Sequence, residues 1–272
     1  MPAVQHVSSQ VIVPQSFAMD TSARDEARAV ILPLPTLPPQ PSPEFLAELR
    51  AASDLLDAAS PVEIIAWAAE KYFPKLTMAT AFGPEGCVII HMLAEVNPRV
   101  HVFNLDTGYQ FQETLELRER IRRRYGIEVE LKRPDLSVEQ YEAQNGGPLY
   151  KTNPDQCCHD RKIKVLQKAA VGMSAWMSGI RRDQSPDRAK APIVGWDKKF
   201  GLVKVSPLAN WTKSQVWKLI VDENIPYNPL HDQGYTSIGC WPCTRSVMFG
   251  EDERAGRWSG FAKTECGLHT VE

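Results

Sequence analysis

The sequence predicts an α/β fold, a mostly parallel sheet with helices on both faces. Short apolar runs at residues 76–81, 100–105 and 127–131 alternate with helical patterns, the rhythm of right-handed strand–helix–strand crossovers. The first two runs end in glycine-containing turns, Phe82-Gly83-Pro84-Glu85-Gly86 and Asp106-Thr107-Gly108, at the strand ends where such sheets collect ligands.

Residues 1–42 show neither period, and between Pro33 and Pro43 every second or third residue is proline. A segment of that kind cannot bury enough surface to offset its ordering entropy, so it is expected to be a disordered tail with no catalytic part. A helix then runs through Phe45, Leu46, Leu49, Leu55 and Leu56. Ser60-Pro61-Val62-Glu63 starts a second one, with a capping box and proline at the first helical position. Residues 76–81 read as a buried strand, and Pro84 opens a helix carrying Val88, Ile89, Ile90, Met92 and Leu93. After the strand at 100–105, Leu117, Ile121 and Tyr125 mark a helical face that Gly126 ends. Ser137-Val138-Glu139-Gln140 is another capping pattern. The pair Cys157-Cys158 is expected to open a basic helix, whose free N–H groups would stabilise thiolates. Residues 175–178 form a fourth strand leading to the arginine-rich stretch 179–188. Residues 193–196 and 202–205 pair as a hairpin, and Thr212 caps a last helix bearing Val216, Leu219 and Ile220. The expected organisation is a tail (1–42), one α/β nucleotide-binding domain with a metal site (43–245), and a C-terminal lid or tail (246–272).

Composition narrows the class. A net charge of −2, 43% apolar and 24% charged residues suit an ordinary soluble protein and make no electrostatic case for nucleic acid. No apolar run approaches the roughly eighteen residues of a membrane span, and the start lacks a secretory pattern. Six cysteines without an export signal point to a reducing compartment. The expectation is a cytoplasmic enzyme acting on something small, with no nucleic-acid or membrane partner and room for a homo-oligomer.

The cysteines carry the chemistry. In Cys240-Trp241-Pro242-Cys243 a tight turn lets two thiolates converge on one metal or cluster. Adjacent cysteines such as Cys157-Cys158 reach a single zinc ion only with strain, whereas a four-iron cube offers them separate corners. Buried or disulfide-bonded cysteines are the plain alternative. Cys87 reads as a core residue and His91 and His101 as structural. Lys164 and Lys168 read as a solvated face, and Trp241 and Pro242 as shielding.

Four motifs together resemble the assimilatory adenylyl-sulfate reductases of the phosphoadenylyl-sulfate reductase superfamily, over roughly residues 45–272. They are Cys157-Cys158, Leu105-Asp106-Thr107-Gly108, the stretch Gly179-Ile180-Arg181-Arg182-Asp183-Gln184-Ser185, and the ending Lys263-Thr264-Glu265-Cys266-Gly267-Leu268-His269. The resemblance implies an adenine-nucleotide alpha-hydrolase-like (PP-loop type) fold. It also implies a 4Fe–4S cluster on Cys157, Cys158, Cys240 and Cys243, and a place in sulfate assimilation toward cysteine. Members using the 3′-phosphorylated nucleotide generally lack these four cysteines, so adenylyl sulfate is the expected substrate. It further implies that Cys266 attacks the sulfate sulfur, AMP leaves, and reduced thioredoxin or a similar dithiol resolves the S-sulfocysteine to sulfite.

The expected substrate-binding residues are Thr80 and Gly83 in the first turn, Leu105 in the second, Gly179, Lys162 one helical turn from Cys158, and Arg188, Arg254 and Arg257. The first turn departs from the serine- and glycine-rich loop of related pyrophosphatase-like enzymes. A few arginine contacts, at about 1–4 kcal/mol each, cannot order a whole tail costing about 1–2 kcal/mol per residue. A partly docked, mobile lid is therefore expected. The competing readings are a 3′-phosphoadenylyl-sulfate reductase, an ATP-dependent iron–sulfur RNA thiolase and a zinc-stabilised binding module.

Overall fold

The computed structural model describes residues 40–263 and 265–268. The tail expected at 1–42 therefore lies outside the described residues apart from its last three. Of these, Ser42 accepts a hydrogen bond from Phe45 N–H and caps α1 (Pro43–Leu55). The capping box at Ser60 starts α2 (Pro61–Tyr72), which leads into β1 (Leu76–Thr80). Then follow α3 (Pro84–Val96), β2 (His101–Leu105), α4 (Gln112–Tyr125), β3 (Val129–Lys132) and α5 (Val138–Gln144). Gly126 ends α4 at φ 67°, where a side chain would be strained. The remaining elements are α6 (Pro154–Cys158), a π-helical turn (His159–Ile163), α7 (Lys164–Ala170), β4 (Ala175–Met177), β5 (Val194–Asp197), β6 (Leu202–Val205) and α8 (Lys213–Asp222).

The sheet has six strands in the order β3-β2-β1-β4-β6-β5. All neighbours are parallel except β5, which runs antiparallel to β6 at one edge, as the hairpin expectation required. Successive strand residues face opposite ways. Val102 and Val203 join the larger core with helices α1 to α4 and α8, whereas Phe103, Trp176 and Leu202 meet Leu166 and Ala170 of α7 on the other face. Both faces are thus covered, and strand-end turns are left to build a site. No helix among the described residues is long and apolar enough to cross a membrane.

One expectation is corrected. The cysteine pair does not open its helix. Asn153 caps α6 by accepting from Gln156 N–H, and Cys157 N–H already donates to Asn153 O at 3.1 Å. The pair closes the first α-helical turns, so free helix-start amides do not face its thiols.

Candidate active site

Thr80, Gly83, Leu105, Lys162, Gly179, Arg188, Arg254, Arg257 and Cys266, all expected from the sequence, line one cleft beyond the carboxyl ends of β1, β2 and β4. The turn after β1 is held by its own atoms. Thr80 Oγ1 accepts from Phe82 N–H at 3.0 Å, and Thr80 O accepts from Asn104 Nδ2 at 2.8 Å. Phe82 is buried at φ 57°, a conformation costly for an aromatic residue and tolerated where packing enforces it. It delivers Gly83, the cap of α3, to the cleft with no side chain on the cap's amides, an arrangement suited to an anion.

The turn after β2 reaches a second cavity. Asp106 accepts from Gly108 N–H and from Arg133 Nε, at 3.0 and 2.8 Å. Thr107 Oγ1 accepts from Tyr109 N–H at 3.2 Å, leaving its proton for Cys240 Sγ, 3.2 Å away. Cys157, Cys158, Cys240 and Cys243 line that second cavity with Tyr109, Tyr150, Pro154, Pro242 and Trp258. Thr107, Lys162, Cys240 and Trp258 line both spaces, so the cleft and the thiol cavity share a wall. All six cysteines are free thiols, which removes the disulfide alternative.

The cysteine helix is fixed by Arg161, which is 3% exposed. Its Nε donates to Thr107 O at 2.6 Å, and its guanidinium lies 5.5 and 5.0 Å from the rings of Tyr109 and Tyr141. Those tyrosines donate to Glu142 and Asp160. Burial, followed by repulsion from the neighbouring thiolates, pushes Cys157 up to about 12 and Cys243 up to about 11. Burial also raises Cys158, which Lys162 partly offsets. For Lys162 burial alone would lower the ammonium, but the thiolates of Cys240, Cys158 and Cys266 raise it on balance. So dense a set of thiols suits a strongly cationic centre. Among the described residues no three His, Cys, Asp or Glu side chains converge at the spacing of a single metal ion. Cys157, Cys158, Cys240 and Cys243 line one cavity, and thiolates are the donors that both zinc ions and iron–sulfur clusters take.

The described part of the C-terminal segment folds back over the cleft. Thr244 and Arg257 form an antiparallel bridge, and Trp258 N–H donates to Cys243 O at 3.0 Å. The Trp258 ring is buried, with the Arg257 guanidinium 4.4 Å from its centre. Arg257 occupies space that glycine leaves open, since a Cβ on Gly239 would stand 2.2 Å from its Nη2. Glu265 bonds both Arg188 and Arg254. Lys199 Nζ donates to Gly267 O, and Leu268 packs on the core cluster of Phe103 and Trp176. The docking thus uses apolar burial and a buried ion pair besides the arginine contacts counted from sequence. Thr264 and His269 of the terminal motif lie outside the described residues.

Several lining residues had no signal in the sequence. Glu85 accepts from buried Arg181 at 2.8 Å, and Glu253 lies 3.7 Å from Lys213, so two carboxylates of the lining are held by cations. Burial raises the Glu253 carboxyl. Gln184, in the arginine-rich stretch after β4, accepts from Arg188 Nη1 at 2.6 Å. Lys164 and Lys168 make exposed pairs with Asp160 and Asp135, and His91 and His101 bond Tyr125 and Glu130, as structural readings require.

Comparison with known proteins gives these features a context. Residues 75–246 match the family model of the phosphoadenosine phosphosulfate reductase domain. An adenosine 5′-phosphosulfate reductase of Oceanobacillus iheyensis is 47% identical over 77% of this chain and 88% of its own length. A phosphoadenosine 5′-phosphosulfate reductase of Gloeobacter violaceus is also 47% identical, over the same shares of the two chains. The crystal structure of phosphoadenylyl-sulfate reductase from Candida auris superposes with a TM-score of 0.66 at 30% identity, covering 77% of this chain and all of that one. An FMN adenylyltransferase of Candida glabrata shares the fold alone, at a TM-score of 0.50 and 16% identity over 74% of this chain and 64% of its own.

Proposed function

The chain belongs to the phosphoadenosine phosphosulfate reductase domain family, and from that premise we propose that it reduces adenylyl sulfate to sulfite and AMP in sulfate assimilation. The observation that carries this reading is the position of Cys266. It lines a cleft with Lys162, Arg188, Arg254 and Arg257, beside a cavity walled by four further thiols. Relatives named for the two nucleotides are equally identical to the chain, so identity does not choose between them. The four-thiol cavity supports the nucleotide without a 3′-phosphate, because members using the phosphorylated form generally lack those cysteines.

In this mechanism the amides at the start of α3 and the turn at Thr80 hold the nucleotide phosphate. The cations at the other end hold the sulfonate and offset its repulsion of the approaching thiolate, each by about 1 kcal/mol in water and about 4 near a protein surface. Cys266 Sγ attacks the sulfonate sulfur in line. The new S–S bond forms as the S–O bond to AMP breaks, and the electron pair leaves with the phosphate oxygen. A thiolate of reduced thioredoxin, or a similar dithiol, then attacks Cys266 Sγ and expels sulfite. Its second thiol closes a disulfide and returns Cys266 as a thiol, so the dithiol supplies both electrons. Cys157, Cys158, Cys240 and Cys243 would hold a 4Fe–4S cluster. When bound, it supplies an electrostatic and structural anchor beside Lys162, and no step passes through it.

Thioredoxin-dependent sulfite release, measured with each nucleotide, tests the reading. Faster turnover of adenylyl sulfate is expected. A preference for the 3′-phosphorylated form would assign the chain to the other activity. Release of pyrophosphate from ATP on adding RNA, with no sulfite from either nucleotide, would replace it by the thiolase reading.

A further inference from the structure

Glu265, next in sequence to the attacking thiol, already fills an anion site. Its Oε1 accepts from Arg188 Nε at 3.0 Å, and its Oε2 accepts from Arg188 Nη2 at 2.8 Å and from Arg254 Nη2 at 3.2 Å. The Arg188 and Glu265 side chains are each only 7% exposed, so this two-pronged pairing is made largely out of water. On the other edge of the same guanidinium, Nη1 donates to Gln184. The flat Nε–Nη2 edge is the one that accepts a planar carboxylate or the oxygens of a sulfonate with two parallel bonds. That edge cannot serve Glu265 and a sulfonate together.

We propose that Glu265 is a resident counter-anion that the sulfonate of the substrate displaces from Arg188 and Arg254, so that anion binding and release of the Glu265 carboxylate are one exchange. The proposal rests on the functional reading above. A carboxylate left in place would sit beside both a thiolate and a sulfonate, adding repulsion to a step that already joins two anions. Once the sulfonate has moved to Cys266 and AMP has gone, the carboxylate competes again for the same edge. Its return turns the S-sulfonate away from the arginines, toward an incoming dithiol. Glu265 is a positioning residue in this scheme and touches no reacting atom.

The exchange predicts a selective effect. In a Cys266→Ser background, where no transfer occurs, Glu265→Gln should bind adenylyl sulfate about tenfold more tightly, the scale of one charge-assisted hydrogen bond. AMP, which lacks the sulfonate, should bind as before. Glu265→Asp, one methylene shorter and unable to span both arginines, should tighten adenylyl sulfate by a smaller factor, and serves if the glutamine variant does not fold. Isothermal titration of each variant with each nucleotide reads these outcomes. If the parent binds adenylyl sulfate but the variants bind it equally or more weakly, the inference is overturned and the functional reading stands. Tightening of both nucleotides alike would also overturn it, as a general effect on the fold. If the Cys266→Ser parent binds neither nucleotide, the functional reading fails and takes the inference with it.

Discussion

Thr107 Oγ1 stands 3.2 Å from Cys240 Sγ, so the turn closing β2 meets the Cys-x-x-Cys turn through a hydroxyl and a thiol. With Lys162 it ties the floor of the nucleotide cleft to the thiol cavity. Replacing Thr107 by valine keeps the shape and removes both the hydrogen bond to Cys240 Sγ and the one accepted from Tyr109 N–H. The visible spectrum of the purified protein should shift while the fold survives, with a stability loss of about 1 kcal/mol. Absorption spectra and urea denaturation of Thr107→Val check this, and an unchanged spectrum would count against a sulfur-bound chromophore at Cys240.

The four-thiol cavity makes a compositional prediction. Protein purified without oxygen should be brown, with iron and acid-labile sulfide in equal amounts. Cys157→Ala, Cys158→Ala, Cys240→Ala and Cys243→Ala should each lose them. Cys87, which is fully buried and pushed up to about 12 chiefly by that burial, should tolerate alanine with its iron intact. Metal analysis returning zinc would favour a single-ion centre.

Cys266 should be dispensable for colour and indispensable for turnover. Cys266→Ser is expected to retain iron and nucleotide binding and to release no sulfite above background. Wild-type protein given adenylyl sulfate without a dithiol should gain the mass of one SO₃ group on the peptide containing Cys266. Mass spectrometry of that peptide reads the intermediate directly, and normal sulfite release by the serine variant would end the scheme.

Gly239 gives Arg257 its place, and a methyl there would meet the far end of a flexible side chain instead of backbone. Gly239→Ala should therefore leave the fold within about 1 kcal/mol of wild type. It should displace the guanidinium and raise KM for the nucleotide by about tenfold, the scale of one charged contact. A KM effect with an unshifted melting temperature is the expected signature.

Stability against pH should carry the mark of Lys204. Burial lowers its ammonium to about 8, with Asp197 at 3.9 Å pulling the other way and Arg188 and Lys199 adding repulsion. The unfolded chain then holds this proton more tightly than the folded chain does. Between about pH 8 and the ordinary lysine value of 10.5, the lysine contributes a stability that rises with pH, on the order of 3 kcal/mol. Below pH 8 both states are protonated and the cost of burial is fully present. The stability difference between wild type and Lys204→Met, followed by urea denaturation from pH 7 to 10.5, should grow in favour of wild type across that window.

Much of the fold was legible because its punctuation is local. The capping boxes at Ser60, Ser137 and Thr212, the stop at Gly126 and the hairpin register are set by residues a few positions apart. The cysteine helix was misplaced because its true start, Asn153-Pro154, hides in a loop-like composition, whereas the basic run after Cys158 resembles a fresh helix. The site was legible as residue types but not as partnerships. The contact of Glu265 with Arg188 spans 77 positions, and that of Arg181 with Glu85 spans 96. Trp258 at φ 47°, buried between the cleft and the thiols, is dictated by its long-range packing and carries no local pattern.

The π-helical turn at His159–Ile163 acts as a phase adjuster. Before it, α6 aims Cys157 and Cys158 at the thiol cavity; after it, α7 aims Val165, Leu166 and Ala170 at the protein interior. One residue advances an α-helix by about 100°, so the wider π turn lets two unrelated angular demands coexist on one continuous rod. A π turn takes about one residue more than an α turn, so deleting a single residue there would restore uniform α winding with both faces close to their present directions. The π turn is therefore the place where the spacing between Cys158 and Val165 can differ by one residue while the thiols and the apolar face of α7 keep their aim.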